Sequence, residues 1–296
     1  MTTEYRSHAA GTGAGDLPGA LVGADRLAAW LTRPGTVVLD ASVGAHRAAG
    51  RRIPGARRFD IDGALSDHAA PLPHTMVGAA EFEQRMRALG VDGTDTVVVY
   101  DTAGIYSSAR AWWMLRAMGF DRVAVLDGGL PAWEAAGYPV EEREPGGAER
   151  TGDFTARPRP GALVGSDAVV RALADPGAAV LDARSRERFA GTAAEPRPGL
   201  RGGHMPGAVN LPFGTVQRDG RMLPAEQLRA VFEASAGGRE RLVVSCGSGV
   251  TACVLALGAE LAGYREVSVY DGSWSEWGLP SELPVETGPE PVARSR

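Results

Sequence analysis

The sequence predicts an α/β protein made of two tandem copies of one domain, each a mostly parallel sheet with helices on both faces. Three observations carry this. Short β-branched runs alternate with Ala/Leu-rich segments along the chain. The order of motifs in the first half recurs in the second. Matched positions keep a near-constant separation: Asp40 and Asp182, Asp101 and Cys246, and Trp133 and Trp277 lie 142, 145 and 144 residues apart. A steady offset over the whole length marks a duplication. Alternating strand and helix calls for a parallel sheet covered on both sides.

Residues 1–19 are polar and Gly-rich, so no ordered element and no signal peptide is predicted there. Val22 to Asp25 leads into an Ala/Leu-rich helix ending near Leu31. Thr36 to Ala41 reads as a strand, and Arg52-Ile53-Pro54-Gly55-Ala56 as a turn into the short segment Arg57–Asp62. Ala80 to Leu89 is helical in pattern. Thr96 to Asp101 is a strand that feeds a long helix through Trp112, Trp113 and Leu115. Val123 to Gly129 is strand and turn, and Pro131 to Ala136 a short helix. In the second copy Leu163 to Asp167 repeats the opening and Ala179 to Ala183 the first strand. His204 to Ala208 repeats the turn, Leu242 to Leu261 the strand, loop and long helix, and Val267 to Gly272 the last strand. The domains are therefore placed at residues 20–142 and 161–285. Residues 143–160, rich in Glu, Arg, Gly and Pro, form the predicted linker, and 286–296 a loose tail.

Composition narrows the function. The net charge of −5 argues against a nucleic-acid partner. No apolar run approaches the ~20 residues that span a bilayer, so no membrane partner is expected. Two cysteines make no disulfide framework, which points to a reducing, cytoplasmic setting. No CxxC pair suggests zinc. All 31 basic residues are Arg, so any fixed cation in a site is a guanidinium suited to carboxylates.

The stretch Leu242-Val243-Val244-Ser245-Cys246-Gly247-Ser248-Gly249-Val250-Thr251 carries the chemistry. A strand ends, two glycines allow a tight loop, and an apolar helix follows. Such a turn aims successive backbone N–H groups into one concavity that stabilises an anion, here a Cys246 thiolate. The first copy has Asp101 at this point, so only the second carries a thiol. A structural cysteine gives no reason for that difference; a nucleophile kept once does. Cys253 reads as a small core residue, His204 as part of a structural turn, and the tryptophans as packing.

Two α/β copies, Gly203-His204-Met205-Pro206-Gly207-Ala208 and the loop Cys246-Gly247-Ser248-Gly249-Val250-Thr251 resemble the rhodanese-fold tandem sulfurtransferases, and among them the 3-mercaptopyruvate sulfurtransferases. Arg57-Arg58-Phe59-Asp60-Ile61-Asp62, Gly191-Thr192 and Glu195-Pro196-Arg197 add to the resemblance, which covers roughly residues 20–285. It implies two rhodanese-like domains, the second catalytic. It implies a persulfide on Cys246 within a loop of Gly247, Ser248, Gly249, Val250 and Thr251. It implies a polar relay of Ser248 with Asp62 and His74 from the first domain, His68 being the alternative histidine. Arg188 and Arg197 would hold the donor, although Arg184 and Arg186 crowd the same run. The chemistry asks for no metal and no cofactor. Donors would be 3-mercaptopyruvate or thiosulfate, and acceptors thioredoxin, a small thiol or cyanide. Thiosulfate-preferring relatives carry basic residues directly after the Cys, where this chain has neutral Gly247 and Ser248.

Two other functions compete. A Cys-dependent phosphatase needs Arg six residues after the nucleophile, and Ala252 stands there. A silent sulfur-carrier or binding module remains the non-enzymatic alternative, and the mass of the purified protein separates it from the enzyme.

Overall fold

A computed structural model describes residues 19–142, 148 and 150–288. Of the stretch 1–19 read as having no ordered element, residues 1–18 lie outside these residues, as do most of the predicted tail and part of the linker.

The first domain runs β1 (Leu21–Val22), α1 (Ala24–Leu31), β2 (Thr36–Asp40), β3 (Arg57–Arg58), α2 (Ala79–Ala88), β4 (Thr96–Tyr100), α3 (Ser108–Ala117), β5 (Val123–Leu126) and α4 (Gly129–Ala135). Its sheet is parallel throughout, ordered β1-β5-β4-β2-β3. The second runs β6 (Leu163–Val164), α5 (Ser166–Ala174), β7 (Ala178–Asp182), α6 (Arg186–Ala190), β8 (Val209–Asn210), a hairpin β9–β10 (Gln217–Arg218 and Arg221–Met222), α7 (Ala225–Ala236), β11 (Arg241–Ser245), α8 (Ala252–Ala262), β12 (Glu266–Tyr270) and α9 (Ser273–Trp277). Its five-stranded sheet, β6-β12-β11-β7-β8, repeats the first.

The valine-rich strands are central because parallel strands bury both faces. In β4, Val97 and Val99 enter the core under α2 and α3, while Val98 and Tyr100 enter the core under α1 and α4. The core under α3 continues through α8 into the second domain, so one apolar mass joins the two. Trp112 and Trp113 lie in that shared core, and Trp133 and Trp277 in the outer cores of their own domains.

Two sequence readings change. The described part of the linker is a strap laid on the first domain. Phe154 is buried against Phe82 and Phe120, and the N–H groups of Gly152, Phe154, Arg157 and Arg159 donate to Arg87, Val91, Met118 and Ala117. At the other end Glu286 is paired, not loose: it exchanges backbone bonds with His204 at 2.8 and 3.0 Å. Arg52 and Glu141 form the same bridge in the first copy. Such pairing uses only main-chain groups, so side-chain pattern does not announce it.

The duplication also shapes the interface. Asp127, after β5, accepts the N–H of Met222 across the domains at 3.0 Å. Asp271, after β12, accepts the N–H of Met76 in the other direction at 3.1 Å. Two residues before each of these methionines the backbone is left-handed: Gly220 at φ 73° and His74 at φ 59°. Among the described residues no helix is long and apolar enough to cross a membrane.

Candidate active site

Cys246 follows β11, and its loop ends where α8 begins. The loop is shaped from beneath by α9. The carbonyl of Cys246 accepts the N–H of Trp274 at 3.0 Å, and that of Gly247 accepts the N–H and the hydroxyl of Ser275. A trans peptide points its N–H opposite its carbonyl. The N–H groups of Gly247 and Ser248 are thereby turned away from α9. Among the described residues, neither these nor the N–H groups of Val250 and Thr251 have a protein acceptor. Four donors left free beside a buried thiol are what an anion nest supplies.

Ser273 was not singled out by sequence. Its Oγ accepts the N–H groups of Cys246 and Gly249, each at 3.1 Å, and donates to the carbonyl of Tyr270. It does so from a left-handed backbone, φ 49°, that a serine rarely adopts. The matching position in the first copy is Gly129, φ 56°. A serine held where its twin is glycine was the available signal. Ser273→Gly should leave the melting temperature within a few degrees, because relieved strain of order 1 kcal/mol offsets the lost bonds. The same change should lower kcat/KM about tenfold, near 1.4 kcal/mol, by loosening the loop. An unchanged kcat/KM would remove Ser273 from the site.

The other predicted residues converge from both domains. His74 Nδ1 lies 2.9 Å from Ser248 Oγ, and its Nε2 lies 3.3 Å from Asp62 Oδ1. His68 instead faces the Gly63 carbonyl at 3.0 Å, so of the two candidate histidines it is His74 that lies between Ser248 and Asp62. Asp62 is held by the N–H of Gly44 at 2.7 Å. Burial lowers the His74 pKa from its ordinary value. Asp62 opposes that shift, and Arg197 and Arg110 reinforce it. Gly249 has φ 76°, and a Cβ there would lie 2.8 Å from the Asp271 carbonyl. Val250 is buried, and Thr251 stands at the N-cap of α8.

The crowded arginine run resolves by burial. Arg184 is fully buried, paired with Asp182 and Glu195 and stacked over Trp274 at 4.0 Å. Arg186 is exposed. Arg188 is the one of the three that reaches the loop: a Cβ at Gly247 would lie 3.0 Å from its Nη2. Glu195, shared with Arg184, holds it at 2.5 Å. Arg197 has no ion-pair partner among the described residues; with His74 and Asp62 it lines a cavity of about 400 Å³. A larger cavity, about 630 Å³, lies beneath β11 and β12 and contains no loop residue, so volume does not locate the chemistry.

The predicted structural residues behave as read. Cys253 is fully buried, its thiol donates to the Gly249 carbonyl at 3.3 Å, and burial pushes its pKa up to about 12. His204 stacks on Phe189 and bonds its carbonyl.

Comparison with known proteins agrees with this architecture. The Rhodanese-like domain family model matches residues 23–136 and again 166–279. The chain belongs to the tandem rhodanese-domain sulfurtransferases. It is 40% identical over 276 residues to the 3-mercaptopyruvate sulfurtransferase of Escherichia coli K12, covering 90% of this chain and 97% of that one. It is 39% identical to the Arabidopsis thaliana thiosulfate/3-mercaptopyruvate sulfurtransferase 1, mitochondrial, covering 90% of this chain and 78% of that one. The crystal structure of Escherichia coli SseA superimposes with a TM-score of 0.76 at 37% identity, over 87% of this chain and 99% of that one. In rhodanese terms, the second domain carries the cysteine loop and the first brings His74 and Asp62 to it.

Proposed function

We propose that the protein takes sulfur from 3-mercaptopyruvate onto Cys246 and passes it to a thiol, releasing pyruvate. The observation that supports this most is Ser248 hydrogen-bonded to His74, beside an anion nest and two arginines. The Cys246 thiolate attacks the donor sulfur. The C–S bond breaks, its electron pair goes to carbon, and an enolate leaves. A proton reaching that carbon through Ser248 and His74 makes pyruvate. The Cys246 persulfide is held by the free loop N–H groups. An acceptor thiolate attacks the outer sulfur, and the Cys246 thiolate returns. Arg188 and Arg197 hold the donor carboxylate. The first domain acts as a non-catalytic partner that supplies half of a site at the domain interface. A small thiol or thioredoxin in the cytoplasm serves as acceptor.

The test is a mass spectrum after treatment with the donor alone. One sulfur atom gained on Cys246, matched by one pyruvate released, supports the reading; no gain excludes it.

The relay also predicts a pH profile. His74 works as a neutral imidazole, and its pKa lies below the ordinary value. The acid limb of kcat/KM should therefore fall below about 6.5. Arg197→Met removes a cation that lowers this pKa, so the limb should move to higher pH. Asp62→Asn removes the anion that raises it, so the limb should move lower. Opposite movements would show that another group is titrating.

A further inference from the structure

Arg110 lies on α3 of the first domain and is fully buried. Its Nη2 donates to Asp271 Oδ1 at 2.6 Å and to the backbone carbonyl of His74 at 3.0 Å. The second Asp271 oxygen takes the N–H of Met76. The pair thus grips the chain at His74 and again two residues further on. The same guanidinium backs the cysteine loop: a Cβ at Gly249 would lie 3.3 Å from Arg110 Nη1.

The duplication shows what this grip is for. The turn that holds His74 at φ 59° in the first copy holds Gly220 at φ 73° in the second. Glycine takes that conformation freely, whereas a side chain costs of order 1 kcal/mol or more. In the matching turn of α8, Val254 and Leu255 are both apolar and fully buried. The fold therefore accepts a hydrocarbon at this point of the helix. Burying a guanidinium there costs several kcal/mol in desolvation, which packing alone does not call for. The arginine occurs in the copy whose turn carries a histidine, and the hydrocarbon in the copy whose turn carries glycine.

We propose that Arg110 is a positioning residue that clamps His74 into its left-handed turn and seats the cysteine loop against it, so that the imidazole meets Ser248. This rests on the relay proposed above. Arg110 acts through His74 and touches neither donor nor persulfide. The charged groups acting on His74 are Asp62, Arg197 and Arg110 itself. Removing the Arg110 cation therefore moves the acid limb of the rate profile to higher pH, and Arg110→Lys keeps it in place.

The test is a double-mutant cycle on the full-length protein with 3-mercaptopyruvate as donor and a thiol as acceptor. Arg110→Gln is expected to lower kcat about 30-fold with a small change in KM. In a Ser248→Ala background the same change should cost less than about threefold, because the relay it serves is already broken. Arg110→Lys should restore the acid limb and part of the rate. Equal losses in both backgrounds, or no loss at all, overturn the proposal. Should Arg110→Gln not fold, Asp271→Asn, at a position partly open to solvent, runs the same cycle with the same two outcomes. The relay itself fails separately: Ser248→Ala alone would then turn over at the wild-type rate.

Discussion

Cys246→Ser is expected to abolish sulfur transfer, lowering turnover by on the order of 10⁴-fold or more, with the fold intact. A hydroxyl in the same nest is not ionised and forms no persulfide, so no second route replaces the first. Cys246 sits between a strand end and a helix start that other residues fix, through Ser273, Trp274 and Ser275. The melting temperature should thus change little. Cys253 is the control. Its thiol lies buried beside the Arg110 guanidinium and donates to the Gly249 carbonyl, contacts that a serine hydroxyl can also make, and Cys253→Ser should retain most of the activity. Rates with a saturating donor, and the sulfur content of each variant after donor treatment, decide the matter. Full turnover in Cys246→Ser, or its loss in Cys253→Ser alone, would overturn the assignment.

The sequence exposes the proposed nucleophile because the chain contains its own comparison. Asp101 occupies the matching place, and its surroundings suit the non-catalytic role proposed for this copy. Its carboxylate accepts the N–H groups of Ala103, Tyr106, Ser107 and Ser108 at 2.8–2.9 Å, so the first loop is filled by its own anion. Central strands such as β4 and β11 are legible because burial on both faces demands runs of valine and leucine. Two-residue strands such as β3 and β8 are not, since each adds a single step of main-chain pairing that needs no particular side chain. Ser273, Arg110 and Asp271 were missed for a related reason. Each acts on a partner distant in sequence, and no local period records such a contact. His74 is proposed through resemblance. The physical mark at that position, a left-handed turn shared with Gly220, becomes visible only once the two copies are aligned by their interdomain bonds.

For the donor, kcat/KM for 3-mercaptopyruvate is expected to exceed that for thiosulfate by about two orders of magnitude, roughly 2.7 kcal/mol in the transition state. The two donors ask different things of the site. Thiosulfate is a compact dianion whose leaving group, sulfite, is stable without a proton, so it gains most from cations beside the nucleophile. Here positions 247 to 251 are neutral, and Arg188, the guanidinium that reaches Gly247, is paired with Glu195. Mercaptopyruvate carries its carboxylate several bonds from the sulfur and leaves as a carbon base that needs a proton. Arg197, without an ion-pair partner among the described residues and set beside His74, suits that carboxylate, and Ser248 with His74 suits that carbon. The two donors should therefore respond differently to one substitution. Ser248→Ala removes the hydroxyl from the relay and should slow mercaptopyruvate turnover about 30-fold while leaving thiosulfate within about threefold. Ser248→Arg should narrow the gap from both sides, by breaking the relay and adding a cation. At Gly247 the same substitution sets a Cβ against Arg188, so position 248 gives the cleaner reading. Both donors are measured with one acceptor, cyanide or a thiol, at one pH. Equal or reversed preference in the unmodified protein would sink the choice of donor while leaving sulfur transfer through Cys246 intact.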